Sequence, residues 1–195
     1  ANQFAIIAND FGQNIYEIIG MCNEDYPRGH IFGPGLTAGT CLRKDFGMIN
    51  ERSHGTDVLL SAWKVNEYMP YHIVNNVSNY CDLYRKKISI LGYTFKKNSD
   101  DTRDTLVPKL IRYVERKVPD TITICEPHLD TMTIQGYPNK SLEEALSNAD
   151  VVFIAMNHDV FSNAHEICNS IKNGSWVVDI WNCLGRNEFL FQNNT

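Results

Sequence analysis

Four short apolar segments recur through the second half of the chain, and they restrict its fold more than any other feature. The predicted strands cover residues 87–95, 121–125, 150–156 and 176–181. Each has the length of one buried strand, and a polar or amphipathic stretch separates it from the next. Strands that alternate with helices in this way form right-handed βαβ units, so the pattern predicts a parallel sheet.

The stretches between these segments carry helix signals of their own. Residues 105–117 place apolar side chains on one side of a helix, at Leu106, Leu110, Ile111 and Val114. Ser141, followed one turn later by Glu144, forms a capping box that marks the start of another helix. We therefore expect residues 86–195 to form one α/β domain with helices packed on a parallel sheet.

The first half of the chain is predicted to be mostly helical. Residues 23–39 form a loop rich in glycine and proline. Pro70 stands inside the last helical stretch and is expected to kink or split it. The predicted helices cover residues 1–10, 14–22 and 56–84. We therefore expect a helical region over residues 1–85 and a domain boundary just before the first strand.

Charge and composition disfavour several classes of partner. The 195 residues carry a formal net charge of −5 with scattered basic residues, which argues against nucleic acid and anionic membrane surfaces. No apolar run reaches the ~18–20 residues of a membrane span. The six cysteines include no C-x-x-C pair, and no basic and apolar leader opens the chain. These features favour a reducing, cytoplasmic compartment.

A glycine-rich loop leads into the first candidate site. Residues 33–39 allow the backbone to approach a ligand closely, and they deliver Cys41 to a predicted helix start, where the helix dipole favours a thiolate. Lys44 adds positive charge, and Asp45 follows one helical turn after the thiol. A thiol beside a carboxylate suits nucleophilic attack followed by activation of water. The alternative is a cysteine that is simply buried behind an irregular loop.

The segment after the first predicted strand is the second candidate site. Residues 92–105 lie where doubly wound sheets bind ligands, between a strand and a helix N-terminus. Phe95 is placed to stack on a base, and the segment lacks the G-x-G-x-x-G pattern of an ordinary dinucleotide loop. Its cations for a diphosphate are Lys96, Lys97 and Arg103. The alternative is a solvated turn in which Asp104 or Thr105 only caps the helix.

The end of the last predicted strand and the histidines give weaker signals. Trp181 and Asn182 would lie at the ligand-binding edge of the sheet, although core packing of Trp181 is the simpler interpretation. No two histidines stand at metal-ligand spacing, and His158 and His165, on one predicted helix, are too far apart to chelate together. We therefore predict no metal site and interpret all six histidines as structural or exposed.

Two of these segments, in this order, resemble the signatures of the UDP-glucose/GDP-mannose dehydrogenase family. The first loop ends in GTCLRKD, similar to the family's catalytic loop, and the second reads GYTFKKNSDDTR, similar to its G-x-x-F-K-x-x-x-x-D-x-R signature. Residues 65–67 and 178–179 also fit, so the resemblance spans nearly the whole chain. It implies an N-terminal Rossmann domain for NAD, a central helical region that forms a homodimer, and a C-terminal Rossmann-like domain for the nucleotide of the sugar.

By this resemblance the chain contains the second region, truncated at its N-terminus, and the third. The implied fold class is α/β, with a helical dimerisation segment followed by a Rossmann-like parallel sheet flanked by helices. The family's NAD domain and its catalytic lysine and asparagine would precede Ala1. Because the chain also starts without methionine inside an apolar stretch, we expect a fragment that is inactive alone.

The resemblance further implies a double oxidation with NAD as cofactor. Oxidation of the sugar's primary alcohol gives an aldehyde, which Cys41 traps as a thiohemiacetal. A second oxidation gives a thioester, which water activated by Asp45 hydrolyses to a carboxylate. The positions that match NAD contacts are Lys44 and Arg103. The positions that match substrate contacts are Phe95, Lys96, Gly35, Leu36, Gly39 and, reaching the neighbouring subunit's site, Arg28.

Departures from the family pattern leave the substrate open. Thr37-Ala38 in the loop are unusual, and Trp181 stands where many members have an arginine that grips the sugar nucleotide, which puts UDP-glucose in doubt. A UDP-sugar is favoured over a GDP-sugar because UDP is commoner in the family. One alternative is a stand-alone nucleotide-sugar-binding and dimerising module without oxidation, which would not need the Cys41–Asp45 pair. Another is an unrelated cysteine hydrolase with His30 as its base.

Overall fold

The first part of the chain is helical, as predicted, in a computed structural model that describes residues 1–194. The helices are α1 (Asn2–Asp10), α2 (Ile15–Asn23), α3 (Thr40–Arg52) and α4 (Asp57–Ser78). Helix α2 begins after Asn14, whose side chain accepts a hydrogen bond from the Tyr16 amide at 2.9 Å and so satisfies a free N–H of the first turn. The loop rich in glycine and proline connects α2 to α3.

Helix α4 is continuous through Pro70, so the expected split of this helix does not occur. A proline inside a helix removes one backbone hydrogen bond and costs about 3 kcal/mol. The apolar face of α4 packs into the core and offsets this cost, since Met69, Ile73 and Val77 are at most 3% exposed. The helix ends at Ser78, earlier than predicted.

The second part of the chain forms a five-stranded sheet and a small hairpin. The strands are β1 (Lys87–Leu91), β2 (Thr121–Cys125), β3 (Thr133–Ile134), β4 (Tyr137–Pro138), β5 (Val151–Ile154), β6 (Trp176–Asp179) and β7 (Leu190–Gln192). The order in the sheet is β2-β1-β5-β6-β7. The first four strands of this order are parallel, which confirms the predicted parallel sheet, and β7 is antiparallel to β6.

The differences from the predicted strands have local causes. Strand β1 ends at Leu91 rather than at residue 95, because Gly92 adopts a φ of +91° and turns the chain. A side chain is excluded there, since a Cβ on Gly92 would overlap the Cβ of Met156. The hairpin β3–β4 and the strand β7 were not predicted, because elements this short show no periodicity.

Helices cover both faces of the sheet. They are α5 (Val107–Glu115), α6 (Leu142–Leu146) and α7 (Ala164–Ser170). One apolar core contains buried residues of α4 and α5, and the other contains those of α6 and α7. The predicted capping box at the start of α6 is formed by Ser141 and Glu144. Within residues 1–194, none of the helices has the length and apolar character that crossing a membrane requires.

Candidate active site

Three distant stretches of the chain meet around the loop that precedes α3. Gly35 lies against the indole of Trp181, so closely that a Cβ on this glycine would stand 2.5 Å from the ring. Gly39 lies against Phe95, with 3.2 Å between the position of a Cβ and the ring. The structure therefore brings the loop at 33–39, the segment after β1 and the end of β6 into one site.

Two asparagines hold this loop from the helical side. Asn2 on α1 exchanges two hydrogen bonds with the backbone of Gly35, at 2.9 and 3.0 Å, and donates a third to Asn66 on α4 at 3.1 Å. The Asn66 side chain in turn donates to the carbonyl of Thr37. Leu36, between these contacts, is 1% exposed. Leu36 therefore anchors the loop in the core.

Cys41 is the second residue of α3, as predicted, and its side chain is exposed. Gly39 precedes the helix as its N-cap with a φ of +131°, a conformation that L side chains rarely adopt. Asp45 lies one turn after Cys41 and is also exposed, and its carboxylate is 3.6 Å from the ammonium of Lys44. A thiol at the positive end of a helix with a carboxylate one turn away is therefore accessible to a ligand.

A network of charged residues fixes α3 beside the second loop. The Arg43 guanidinium lies 3.0 Å from Asp104, in the segment after β1, and 3.2 Å from Glu67 on α4. Glu67 also forms an ion pair with Lys109 on α5. Asp104 therefore links the loop to α3 rather than capping α5. This network could not be predicted from the sequence, because its charged residues are far apart in the chain.

The residues predicted to bind a nucleotide lie in the segment after β1. Phe95 is half-buried against Gly39, and Lys96 is exposed. Arg103 forms a bidentate pair with Asp101, at 2.9 and 2.6 Å, and this hydrogen bonding lowers the pKa of Asp101 to about 2. The same contact raises the pKa of Arg103.

Glu126 and His158 form a buried pair behind this loop that was not predicted from the sequence. The prediction of one helix carrying both His158 and His165 is wrong, because His158 follows β5 and precedes a short 3-10 helix, whereas His165 lies on α7. The Nε2 of His158 is 3.1 Å from the Glu126 carboxylate, and both of these residues are at most 2% exposed. The interpretation of His158 as structural is compatible with this burial, but its partners stand too far away in sequence for spacing to predict them.

Glu126, His128 and His158 also bring donor atoms within 4.8 Å of one another, a separation that a metal ion could bridge. The hydrogen bonds argue against this use. The Asn98 amide donates to Nδ1 of His158 at 2.8 Å, so the imidazole proton is on Nε2, the nitrogen that faces Glu126. A metal bound to Nε2 would take the place of that proton, which would move to Nδ1. The Nδ1–H would then face the N–H of Asn98, so that two donors would oppose each other.

The end of β6 is organised around a buried carboxylate. Asp179 accepts hydrogen bonds from the amides of Cys183 and Leu184, each at 2.8 Å, while burial raises the pKa of its carboxyl. Trp181 is half-buried, and its indole N–H donates to the Ala155 carbonyl at 2.9 Å. Trp181 therefore both packs in the core and supports Gly35.

Two predicted residues lie at the periphery. Arg28 is in the exposed turn after α2, with its guanidinium 5.7 Å from the centre of the Tyr26 ring. His30, the base of the hydrolase alternative, packs edge-on against Phe32 with ring centres 5.3 Å apart. The structure thus gives neither residue a described contact with Cys41.

A cavity that does not contain the thiol has a volume of about 710 Å³. It lies between α1, α4 and the strand β7, lined by residues such as His72, Tyr80 and Arg186. Gly35 borders this cavity, but Cys41, Phe95 and Lys96 do not. We place the candidate site at the thiol, because the cavity lacks a comparable set of reactive groups.

Comparison with known proteins finds relatives in one family. The sequence profile described as the UDP-glucose/GDP-mannose dehydrogenase family, UDP binding domain, matches residues 89–186, about half of the chain. A UDP-N-acetyl-D-mannosamine dehydrogenase from Methanococcus maripaludis is 31% identical over 96% of this chain and 44% of the relative. The chain therefore spans less than half the length of this relative.

Solved structures of similar proteins share the fold of this chain. A UDP-D-ManNAc dehydrogenase from Pyrococcus horikoshii has a TM-score of 0.76 at 26% identity, over 94% of this chain and 44% of that one. An NDP-N-acetyl-D-galactosaminuronic acid dehydrogenase from Methanosarcina mazei has a TM-score of 0.77 at 22% identity, over 96% and 44%, which shows a shared fold. The chain belongs to the UDP-glucose/GDP-mannose dehydrogenase family.

Proposed function

We propose that the chain is the C-terminal portion of an NAD-dependent nucleotide-sugar 6-dehydrogenase. Residues 1–85 would be its truncated helical region and residues 86–195 its nucleotide-sugar-binding domain. The observation that carries this proposal is the position of Cys41. It is exposed at the start of α3, one turn before Asp45, and it follows the loop in which Gly39 lies against the Phe95 ring. Relatives named as nucleotide-sugar dehydrogenases support the reaction class.

Cys41 is proposed to be the nucleophile. Its thiolate adds to the carbonyl carbon of the aldehyde, and the carbonyl oxygen takes a proton, which gives a thiohemiacetal. Loss of a hydride from that carbon and of a proton from its hydroxyl gives a thioester. Asp45 takes a proton from water as the water oxygen attacks the thioester, and the C–S bond breaks to leave a carboxylate and the free thiol. NAD, when bound, would supply the hydride acceptor for this oxidation and for the earlier oxidation of the alcohol to the aldehyde.

Lys44 and Arg103 are the proposed contacts to NAD. Both are exposed, and each lies beside a carboxylate rather than in a buried cluster. Exposed cations of this kind fit the diphosphate of a dinucleotide. The sequence contains no G-x-G-x-x-G turn, so these two residues would form only one edge of an NAD site.

The nucleotide of the substrate is proposed to bind the segment after β1. Phe95 would stack on the base and Lys96 would bind the diphosphate, while the backbone of the loop containing Gly35, Leu36 and Gly39 would approach the sugar. Relatives named as UDP-N-acetyl-D-mannosamine dehydrogenases support UDP rather than GDP. The position at the carboxyl edge of a parallel sheet is also where such ligands bind.

We infer that the sugar carries an acetamido group. The relatives that support this are named as dehydrogenases of UDP-N-acetyl-D-mannosamine and of NDP-N-acetyl-D-galactosaminuronic acid. The second argument is Trp181, which packs on Gly35 where many members have an arginine. An indole provides an apolar surface for an acetamido methyl group rather than a donor for a hydroxyl.

A homodimer formed by the helical region is proposed as well. Large apolar side chains that are at least 60% exposed are concentrated there, including Phe4, Phe11, Met48 and Val58. Arg28 lies in the same region, in an exposed turn from which it would reach the site of the neighbouring subunit.

Calorimetric titration of UDP and of GDP into the 195-residue chain tests the nucleotide site. We expect UDP to bind, and Lys96→Ala to weaken binding about tenfold because a charge-assisted hydrogen bond is lost. The matched control is Lys140→Ala, which removes an exposed lysine paired with Glu144 on α6 and should leave the affinity unchanged. Absence of UDP binding, or an equal loss in both variants, would contradict the proposal.

A further inference from the structure

A buried pair of residues underlies the proposed nucleotide loop without touching the proposed ligand. Glu126 follows β2 and His158 follows β5, so parallel strands deliver both side chains to the carboxyl edge of the sheet. Nε2 of His158 lies 3.1 Å from Oε2 of Glu126 and 3.3 Å from the hydroxyl of Thr94. The pair therefore lies beneath the segment that carries Lys96.

Glu126 fixes the near end of that segment. Its Oε2 accepts hydrogen bonds from the amides of Tyr93, at 2.7 Å, and Thr94, at 3.2 Å, while its Oε1 accepts from the amide of His128 at 2.9 Å. Burial opposes ionisation of Glu126, but hydrogen bonds from His158 and from these amides outweigh it and hold its pKa below the ordinary value. A buried carboxylate thus holds two consecutive amides at the end of β1.

His158 fixes the far end. Its Nδ1 accepts a hydrogen bond from the Asn98 amide at 2.8 Å, which leaves Nε2 to donate to Glu126. Asn98 has a φ of +52°, a left-handed conformation that is uncommon for residues other than glycine. Its side chain exchanges two hydrogen bonds with Asp159, at 2.6 and 3.1 Å. Lys96 is therefore held between two anchors, one at Thr94 and one at Asn98.

We propose that His158 is a positioning residue, which acts through Nδ1 to hold Asn98 in its left-handed turn and thereby places the Lys96 ammonium for a nucleoside diphosphate. The proposal rests on the proposed function of this loop. An exposed loop that is ordered before binding loses less conformational entropy when the ligand arrives, so its affinity is higher. Releasing Asn98 would allow the loop to move and would lower the affinity without removing any ligand contact.

Two substitutions separate this role from a merely structural one. His158→Asn keeps an acceptor near the position of Nδ1 but loses the donor to Glu126. His158→Gln keeps a donor near the position of Nε2 but loses the acceptor for Asn98. Both remove the same buried ring, so a structural role predicts similar behaviour in the two variants. His165→Gln on α7, where the histidine is exposed, is the matched control.

The measurements are amide hydrogen exchange at Asn98 by NMR and calorimetric titration with UDP. We expect His158→Gln to accelerate exchange at Asn98 and to weaken UDP binding, each about tenfold, whereas His158→Asn and the control stay within about threefold of the parent. Equal effects of Gln and Asn on both readouts would overturn the proposal, as would an unchanged exchange rate in His158→Gln.

Two further outcomes remain distinguishable. If His158→Gln does not fold, Asp159→Ala removes the side-chain anchor of Asn98 from an exposed position, together with the ion pair between Asp159 and Lys97. Faster exchange at Asn98 with unchanged UDP affinity in this variant would then overturn the proposal, because the order of the turn would not affect the ligand. An unchanged exchange rate would leave the hydrogen bond to Nδ1 of His158 as the anchor of Asn98, as proposed. If the parent chain binds no UDP, the proposed function fails, and the exchange rate at Asn98 alone decides whether His158 holds the loop.

Discussion

Cys22 and Cys41 are both exposed thiols, but their surroundings differ. Cys22 lies in the last turn of α2, at the negative end of the helix, whereas Cys41 lies in the first turn of α3, one turn before Asp45. The remaining cysteines are less accessible: burial, for example, raises the pKa of Cys125 to about 12. The chain therefore contains a natural control for the role of Cys41.

We predict that UDP-N-acetylmannosamine slows the alkylation of Cys41 by iodoacetamide several-fold, because the bound sugar would cover the thiol. The rate at Cys22 should not change. Mass spectrometry of the labelled peptides measures both rates in one sample. Equal rates at Cys41 with and without the nucleotide sugar, at a concentration that saturates binding, would place the substrate elsewhere.

At the scale of elements, the loop before α3 depends on glycines that other elements press against. Gly35→Ala is expected to destabilise the fold by about 1–3 kcal/mol, because its Cβ would overlap the Trp181 ring, which is held by its hydrogen bond to Ala155. Thermal unfolding measures the loss. The control is Gly20→Ala within α2, where nothing lies within 4 Å of the new Cβ and stability should rise by up to about 1 kcal/mol. A Gly35→Ala variant as stable as the parent would contradict the described contact.

Elements with strong local signals could be predicted from sequence, and elements defined by distant partners could not. The boundaries of β2 were predicted because an apolar run rich in threonine and isoleucine ends at Glu126-Pro127. The continuity of α4 at Pro70 depends on packing against the core, which could not be predicted from the neighbouring residues in the sequence. The positions of Cys41 and Asp45 on α3 were predicted from residue types, whereas the hydrogen bond between His158 and Asn98 joins loops after different strands.

At the scale of the whole molecule, the exposed apolar residues of the helical region form the surface proposed for a second copy of the chain. We predict that the chain sediments as a dimer, and that the double substitution Met48→Lys and Val58→Asp weakens the dimer at least about tenfold, because charges replace buried apolar area. Val58 lies in the first turn of α4, where an aspartate does not oppose folding. Met132→Lys changes the most exposed apolar residue of the sheet region and should leave the dimer intact. A monomeric parent would contradict the prediction.

The arrangement of the sheet edges has a consequence for how this molecule avoids uncontrolled association. The strand at one edge is β7, a short strand antiparallel to β6. At the other edge, the Lys140 amide donates to the Ile124 carbonyl of β2, and β4 lies alongside. Neither edge presents a long row of free amides and carbonyls, so neither provides a template onto which a strand of another chain could add. The proposed dimer would then depend on side chains of the helices, which allow a specific contact of finite size.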